Sequence, residues 1–185
     1  MTDNIRVIAS DFDGTILKDG AQHVDEVYFP LIRELKSMGI SFIAASGRQY
    51  ANLRRLLWPV ADEISYICEN GALIAQGGRI LYQNEIDRRI ALPLIADMQA
   101  VSGTETVVSG ADSSYLVPVD PRFPVLLREK VKNQVTVLEN FEEMPVPMIK
   151  ISIFFPQGIP ADKEAWFHEK YDPYLNVVDG GNGWL

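Results

Sequence analysis

The sequence predicts an α/β fold with a parallel sheet in its first part and an α+β region after it. A short apolar run at Ile5–Ser10 is typical of a buried strand, and a similar run follows at Ile40–Ala45. Apolar residues at helical spacing separate the two runs, which predicts a strand–helix–strand unit with parallel strands and a right-handed crossover. From about Ile86 onward the pattern changes to mixed helices and hairpins, which predicts the second region.

The elements of the first part follow from local signals. Lys18–Gly20 predicts a turn, and a helix follows from near Phe29 to Gly39, with Pro30 in its first turn. After the second strand we expect, in order, a helix from about Gln49 to Leu57 closed by Pro59 and Asp62, a strand at Ser65–Cys68, a turn at Glu69–Ala72, and a hairpin of Leu73–Ile74 with Arg79–Tyr82 around Gly77–Gly78.

The second part predicts shorter elements joined by proline-containing loops. They are a helix from Ile90 to Val101, a hairpin of Thr104–Ser109 with Ser114–Val119, a helix at Phe123–Val131, a short strand at Gln134–Leu138, an alternating strand at Met148–Phe155, a helix at Ala161–Lys170 and an extended segment at Tyr174–Val178.

Composition narrows the class of protein. The 185 residues are 47% hydrophobic, enough for packed cores. A net charge of −8 without a basic run argues against a nucleic-acid partner bound through its phosphates. The single cysteine, Cys68, cannot form an internal disulfide, so we expect a reducing cytoplasm. We expect no membrane partner, because no signal-peptide pattern or bilayer-spanning apolar stretch is present.

The first strand ends in Asp11-Phe12-Asp13-Gly14-Thr15. Ligands bind at the carboxyl ends of strands in parallel sheets, and side chains two residues apart on an extended segment point the same way. Two carboxylates so close repel each other unless one is protonated or a cation lies between them. The pair therefore suits either a metal ion, with Asp11 and Asp13 as ligands, or an acid and a nucleophile.

The string Asp11-Phe12-Asp13-Gly14-Thr15 has three other interpretations. An EF-hand loop is excluded for two reasons. Its glycine is at the sixth position, whereas Gly14 is the fourth residue of this string, and here the string is preceded by a strand. A solvated acidic turn is the ordinary fate of an isolated Asp-x-Asp pair. A phosphoacceptor of the signalling-receiver kind also places an aspartate at a strand end, but its acidic partners lie elsewhere in the sequence.

Ser46-Gly47-Arg48 ends the second strand, so parallel pairing brings Ser46 to the sheet edge that carries Asp11. Ser-Gly-Arg is also a common strand-to-helix turn, in which Ser46 would be the N-cap of the helix that begins near Gln49, but its position after the second strand favours the functional interpretation. Asn70, in Glu69-Asn70-Gly71-Ala72, is either a plain turn residue or a side chain facing the site.

The string Asp11-Phe12-Asp13-Gly14-Thr15 after an apolar strand closely resembles the first motif of the haloacid dehalogenase (HAD) phosphatase superfamily, and Ser46 its second motif. The Glu-Asn-Gly-Ala segment and the later order of elements resemble its Cof-type branch, subclass IIB. The resemblance implies a magnesium-dependent phosphatase that hydrolyses a small phosphorylated metabolite through an aspartyl-phosphate.

The resemblance also implies residue roles. Asp11 would be the nucleophile and Asp13 the general acid and base, while Mg²⁺ would bridge Asp11, the Asp13 carbonyl and the phosphate. Gly14, Thr15, Ser46 and Gly47 would hold the phosphate, and Arg48 and Asn70 would contact the substrate.

By this resemblance, residues 1–85 form the N-terminal half of a Rossmann-like core and residues 86–180 an inserted α+β cap, which would exclude water and choose the substrate. Residues 181–185 would begin the return to a core half that is absent. The family's later lysine and Gly-Asp-x-x-x-Asp motifs are not found. Asp179 and Asn182 are interpreted as a turn, and Lys150 as an outward-facing strand residue.

Without later strands, the strand that carries Asp11 is expected at a sheet edge although its sequence is typical of a buried strand. This supports a second hypothesis: a truncated, non-catalytic remnant that binds a phosphorylated ligand, a metal ion or a protein partner. Self-association through the exposed edge is then expected.

Overall fold

A computed structural model describes residues 5–18, 21 and 23–185. Asp19 and Gly20 of the predicted turn at Lys18–Gly20 lie outside the described residues. The chain divides into two compact units, Met1–Asn84 and Glu85–Leu185. The interpretation of the second unit as a cap stays a prediction.

The first unit contains a five-stranded sheet in the order β1-β2-β3-β4-β5. β1 and β2 are parallel, as are β2 and β3, so the predicted strand–helix–strand unit is confirmed. β4 and β5 extend the sheet in antiparallel fashion beyond β3. The strands are β1 (Val7–Asp11), β2 (Ser41–Ala45), β3 (Ser65–Cys68), β4 (Leu73–Gln76) and β5 (Arg79–Gln83).

β1 lies at the edge of this sheet, and its residues alternate between exposed and half-buried. Val7 keeps 53% of its surface exposed, so the expectation of a strand buried on both faces is wrong for the described residues. The reason is the strand order: β1 pairs with β2 on one side, and no described strand pairs with its other side. An apolar strand is buried only where other strands or helices cover it, and its own sequence does not determine whether they do.

Two helices complete the first unit. α1 (Tyr28–Ser37) places Pro30 in its first turn, and the chain leaves it at Gly39, which has a positive φ of 76°. α2 (Tyr50–Leu56) is followed by a 3₁₀ turn at Trp58–Val60. The N-cap residue of α2 is Gln49, so the capping interpretation of Ser46 is wrong.

The second unit contains a four-stranded sheet in the order β8-β7-β6-β9. β6 is antiparallel to β7 and β9, and β8 runs parallel to β7. The strands are β6 (Glu105–Ser109), β7 (Ser114–Leu116), β8 (Val135–Val137) and β9 (Lys150–Phe154); the helices are α3 (Arg88–Gln99), α4 (Phe123–Leu126, continued by a π-helical turn at Leu127–Val131) and α5 (Ala161–Tyr171).

The end of the chain belongs to this second unit. Tyr174–Val178 forms no strand: a turn from α5 leads into irregular backbone, and Leu175 and Val177 pack on the cluster around Phe167. Residues 181–185 hydrogen-bond to β9, with mutual contacts of 2.9 and 3.0 Å between Leu185 and Ile153. The described helices include none that is long and apolar enough to cross a bilayer.

Candidate active site

The Asp11–Thr15 loop leaves β1 in a tight turn anchored by Phe12, whose side chain is fully buried. The Leu17 amide donates to the Phe12 carbonyl at 2.8 Å, and the Gly14 amide donates to the Leu17 carbonyl at 2.8 Å. Gly14 has a φ of 81°, a conformation that glycine adopts without steric cost. Because Phe12 is held inside, Asp11 and Asp13 on either side of it are both exposed.

Thr15 lies next to the predicted nucleophile. Its hydroxyl donates to Asp11 Oδ2 at 3.4 Å, a long and therefore weak hydrogen bond. The exposed Asp11 carboxylate thus remains accessible to a ligand at the carboxyl end of β1. Gly14 and Thr15 lie in this turn beside the two carboxylates, where the sequence places them.

Ser46 enters the site from β2, whose last residue, Ala45, pairs with Asp11 in the sheet register. Ser46 is buried, and its amide donates to the Ile67 carbonyl of β3 at 2.9 Å. Its hydroxyl donates to Asp13 Oδ2 at 3.2 Å and accepts from the Arg48 amide at 3.2 Å. Parallel pairing of β1 and β2 therefore brings together Asp13 and Ser46, which are 33 positions apart.

Arg48 forms a bidentate ion pair with the carboxylate of Asp13. Its Nε lies 3.0 Å from both carboxylate oxygens, and one terminal nitrogen lies 2.7 Å from Oδ1. These hydrogen bonds and the positive charge of Arg48, with a smaller contribution from the Ser46 hydroxyl, lower the pKa of Asp13 against the opposing effect of burial. In this arrangement Asp13 is a paired carboxylate.

Asn70 lies against the same loop. Glu69, Asn70 and Gly71 have φ values of 51°, 57° and 94°, so three successive residues adopt the left-handed conformation. The Asn70 amide donates to the Ser46 carbonyl at 3.4 Å, and its side chain packs over Gly47. The turn at Glu69–Ala72 is therefore joined to the Ser46-Gly47-Arg48 loop, and both interpretations of Asn70 stay open.

The oxygen donors of Asp11 and Asp13 match the chemical preference of Mg²⁺. That ion is typically bound by one or two carboxylates together with waters and substrate phosphate. The Asp11 carboxylate meets this requirement, whereas the Asp13 carboxylate is held by Arg48 and Ser46. The described residues contain no group of three or more acidic, histidine or cysteine side chains arranged to hold a metal. The described residues thus supply a partial donor set.

The remaining candidate positions lie in the second unit. Asp179 Oδ1 accepts from the Gly181 amide at 2.7 Å, and Asn182 has a φ of 52°. Both belong to the terminal turn, as the sequence predicts. Lys150 begins β9 and pairs in register with Ser109 of β6.

Sequence reasoning missed the pairing of Arg48 with Asp13, since Arg48 was interpreted only as a substrate contact. A signal was present: the two residues follow the ends of neighbouring parallel strands and carry opposite charges.

Comparison with protein families gives one family match. Residues 8–185 match the sequence profile described as haloacid dehalogenase-like hydrolase. A relative from Escherichia coli K12, the 5-amino-6-(5-phospho-D-ribitylamino)uracil phosphatase YbjI, is 23% identical over 180 residues, which are 97% of this chain and 66% of that protein. The chain therefore spans just under two thirds of the length of this relative.

Solved structures share the fold. A haloacid dehalogenase-like hydrolase from B. subtilis superposes with a TM-score of 0.75 at 17% identity, over 94% of this chain and 69% of that one. The HAD subclass IIB sugar phosphatase BT4131 superposes with a TM-score of 0.73 at 16% identity, over 97% of this chain and 68% of that one. At these identities the likeness concerns the fold.

Proposed function

This chain belongs to the haloacid dehalogenase-like hydrolases, and on that premise we propose that it is a magnesium-dependent phosphatase that works through an aspartyl-phosphate. The observation that carries the proposal is the contact between Ser46 Oγ and Asp13 Oδ2 at 3.2 Å, because it joins the loops after β1 and β2 at one sheet edge. A nucleophile, a candidate acid and base, a hydroxyl and a guanidinium are then grouped at that edge.

In the first step, a carboxylate oxygen of Asp11 attacks the phosphorus atom of a phosphate monoester. The bond between phosphorus and the leaving oxygen breaks, and Asp11 becomes an aspartyl-phosphate. Asp13, protonated once its ion pair with Arg48 has opened, gives that proton to the departing alkoxide and is left as a carboxylate. Exposure of the Asp11 carboxylate at the end of β1 supports its role as the attacking group.

In the second step, the Asp13 carboxylate takes a proton from a water molecule, whose oxygen attacks the same phosphorus atom. The bond to Asp11 breaks, inorganic phosphate leaves, and both aspartates return to their starting states. General acid–base help of this kind contributes roughly 10²–10⁴-fold to the rate. Gly14, Thr15, Ser46 and Gly47 are the proposed phosphate contacts in both steps.

Asp11, with the main-chain carbonyl of Asp13, would hold Mg²⁺ together with water and substrate oxygens. When bound, the ion would offset the negative charge on the phosphoryl group as it transfers. Asp11 and this carbonyl provide only part of the coordination shell of Mg²⁺. We therefore propose that oxygens of the substrate phosphate complete the shell.

We propose a small phosphorylated metabolite as substrate. Two similar proteins support this class: the Escherichia coli sequence relative is named for a phosphorylated ribitylaminouracil, and BT4131, which shares the fold, is a sugar phosphatase. Both identities are below a quarter, so the proposal stops at the class of substrate. A cytoplasmic location and the absence of a nucleic-acid partner stay predictions from composition.

The test is phosphate release from an aryl phosphate by the purified chain, with and without Mg²⁺. Wild-type turnover should require Mg²⁺, and Asp11→Asn should abolish it together with the covalent phosphoenzyme seen as a mass increase on the intact protein. Glu34→Gln, which removes one exposed carboxylate on α1, is the matched control and should keep full activity. Equal turnover in Asp11→Asn and wild type would sink the proposed mechanism.

A second candidate function follows from the edge position of β1. We propose that a second copy of the chain pairs with this edge, since Ile5 and Val7 are more than half exposed and no described strand covers it. Sedimentation should then show association that depends on concentration and is lost in Val7→Lys. Val137→Lys on the edge strand β8 is the matched control. A wild-type chain that stays monomeric at high concentration would refute this candidate.

A further inference from the structure

Arg48 and Asp13 form a two-pronged ion pair inside the proposed site. The planar guanidinium faces the carboxylate through Nε and one terminal nitrogen, with donor–acceptor distances of 2.7–3.0 Å. Charge-assisted pairs of this geometry are among the stronger hydrogen bonds in proteins. The Arg48 side chain is 28% exposed and that of Asp13 53%, so a dissolved anion can reach both.

The backbone at Arg48 is held from two sides, which confines any movement to the side chain. Its amide donates to Ser46 Oγ at 3.2 Å, and its carbonyl accepts from the Glu69 amide at 3.2 Å. The guanidinium sits on a long chain of rotatable bonds above this fixed point. It can therefore leave Asp13 by a change of rotamer while the loop stays in place.

A phosphoryl group that binds Arg48 through Nε and the neighbouring terminal nitrogen needs the edge of the guanidinium that Asp13 occupies. That edge matches one carboxylate or one phosphate at a time in bidentate fashion. A phosphate monoester carries up to two negative charges against one on Asp13, and Asp11, where it would react, is two residues from Asp13. The incoming group therefore competes with Asp13 for Arg48.

Three other cations of the first unit are paired with carboxylates elsewhere. Arg33 and Lys36 pair with Glu63, and Arg54 pairs with Asp62. Among the ion pairs of the described residues, that of Arg48 is the one made with either loop aspartate. Arg48 is thus the guanidinium best placed to receive a phosphoryl group at this sheet edge.

We propose that Arg48 is a positioning residue that holds Asp13 when the site is free of ligand and transfers to the phosphoryl group when substrate binds. This inference rests on the proposed phosphatase function and adds its regulation. Binding then does two things at once: the phosphate gains a bidentate cation, and Asp13 is released to face the leaving group. No covalent bond changes in this exchange.

The test measures binding of inorganic phosphate by calorimetry, without turnover, to four proteins: wild type, Arg48→Met, Asp13→Asn and the double variant. Arg48→Met should weaken phosphate binding by about tenfold or more, because it removes charge-assisted hydrogen bonds. Asp13→Asn should tighten it several-fold with Arg48 present and give no gain in the Arg48→Met background. Arg33→Met, which removes a guanidinium held by Glu63, is the matched control and should bind as wild type does.

Simple charge repulsion by Asp13 makes the opposite prediction. If Asp13 only repels anions, Asp13→Asn should tighten phosphate binding at least as much when Arg48 is absent, and that result would overturn the exchange. Equal binding by wild type and Arg48→Met, or no binding by wild type, would also overturn it. A direct readout is the Arg48 Nε–H resonance, which should shift on saturation with phosphate in wild type and be unmoved if the pair stays closed.

The two proposals fail separately. Magnesium-dependent turnover that is lost in Asp11→Asn, together with no coupling between Asp13 and Arg48 in phosphate binding, would keep the phosphatase and remove the exchange. The predicted coupling without any turnover would keep the exchange as a binding property and remove the catalytic claim for this chain.

Discussion

Gly47 and the side chain of Asn70 compete for one space: a Cβ atom placed on Gly47 would lie 2.3 Å from Asn70 Oδ1. Separations below 3.0 Å do not occur for real Cβ atoms, so any larger residue at position 47 must displace Asn70. The contact with Asn70, and not the backbone conformation, is what favours glycine between Ser46 and Arg48, because the φ of Gly47 is not among the positive ones. Asn70 in turn fixes how closely the turn after β3 approaches the loop after β2.

Gly47→Ala should destabilise the first unit by about 0.5–1.5 kcal/mol, the range for one lost hydrogen bond, because the exposed Asn70 side chain can turn away from the new methyl group. The expected cause is displacement of Asn70, which also loosens the 3.4 Å contact between its amide and the Ser46 carbonyl. Urea unfolding followed by circular dichroism measures the loss.

Asn70→Gly is the matching second change, because glycine readily adopts the φ of 57° found at that position and removes the clashing oxygen. In an Asn70→Gly background, Gly47→Ala should cost little. An unchanged cost in the double variant would show that the clash is made with another group.

Much of the first unit could be predicted because turn residues mark its boundaries. Gly39 and the Gly77–Gly78 pair adopt positive φ values where the pattern ends a helix and turns a hairpin, and β3 matches its predicted range. The local pattern of β1 did not predict its exposure, whereas its position at the sheet edge was expected because no later core strands were found in the sequence, and the sheet order confirms that position. Its apolar sequence is typical of a buried strand, but burial requires a neighbour on each side, and the described sheet supplies one.

The sequence predicts which residues lie near one another at the candidate site better than it predicts their individual hydrogen bonds. Parallel strands place Asp13 and Ser46 at one edge, so their proximity followed from the order of elements. The ion pair between Arg48 and Asp13 depends on the backbone conformation of the two loops that follow β1 and β2. Residue types alone do not determine that conformation. In the second unit, Tyr174–Val178 has a strand-like sequence, yet Leu175 and Val177 pack on a cluster formed by α3, the end of β9 and α5 instead of joining a sheet.

A buried carboxylate supports the second unit. Glu105 at the start of β6 is 5% exposed and accepts hydrogen bonds from the amides of Val119 and Asp120, at 3.0 and 2.6 Å. These contacts hold the connection between β7 and α4. Glu105→Gln keeps one acceptor oxygen and replaces the other with an amide donor that faces a backbone N–H.

We therefore expect Glu105→Gln to lower the free energy of unfolding by about 1.5–3 kcal/mol, the range for a hydrogen bond to a charged group. Chemical denaturation of the full chain measures it. Glu139→Gln, an exposed position in the same unit, should change stability by less than about 0.5 kcal/mol. If both variants unfold at the same denaturant concentration as wild type, the Glu105 contacts do not stabilise the unit.

Alkaline pH should weaken the second unit through Tyr115. This side chain is 3% exposed, and its hydroxyl donates to both carboxylate oxygens of Asp112, at 3.1 and 2.9 Å. Burial, and then the bond to Asp112, raises the pKa of Tyr115 from the usual 10.0 to about 12. Folding therefore favours the neutral phenol.

Because the pKa of Tyr115 is higher in the folded chain than in the unfolded chain, this residue stabilises the fold fully below pH 10. Its contribution to the free energy of unfolding is lost as the pH rises through about 12. Burial and the hydrogen bond to Asp97 also raise the pKa of Tyr171, so its ionisation should likewise destabilise the fold at alkaline pH. Measurements on the wild type alone therefore contain the contributions of both tyrosines. Tyr115→Phe removes only the Tyr115 share. Below pH 10 it should be less stable than wild type, because the Asp112 bond is lost, and the difference should shrink between pH 10 and 12. A stability gap between the two proteins that stays constant across this range would show that Tyr115 ionises equally readily in the folded and unfolded chain.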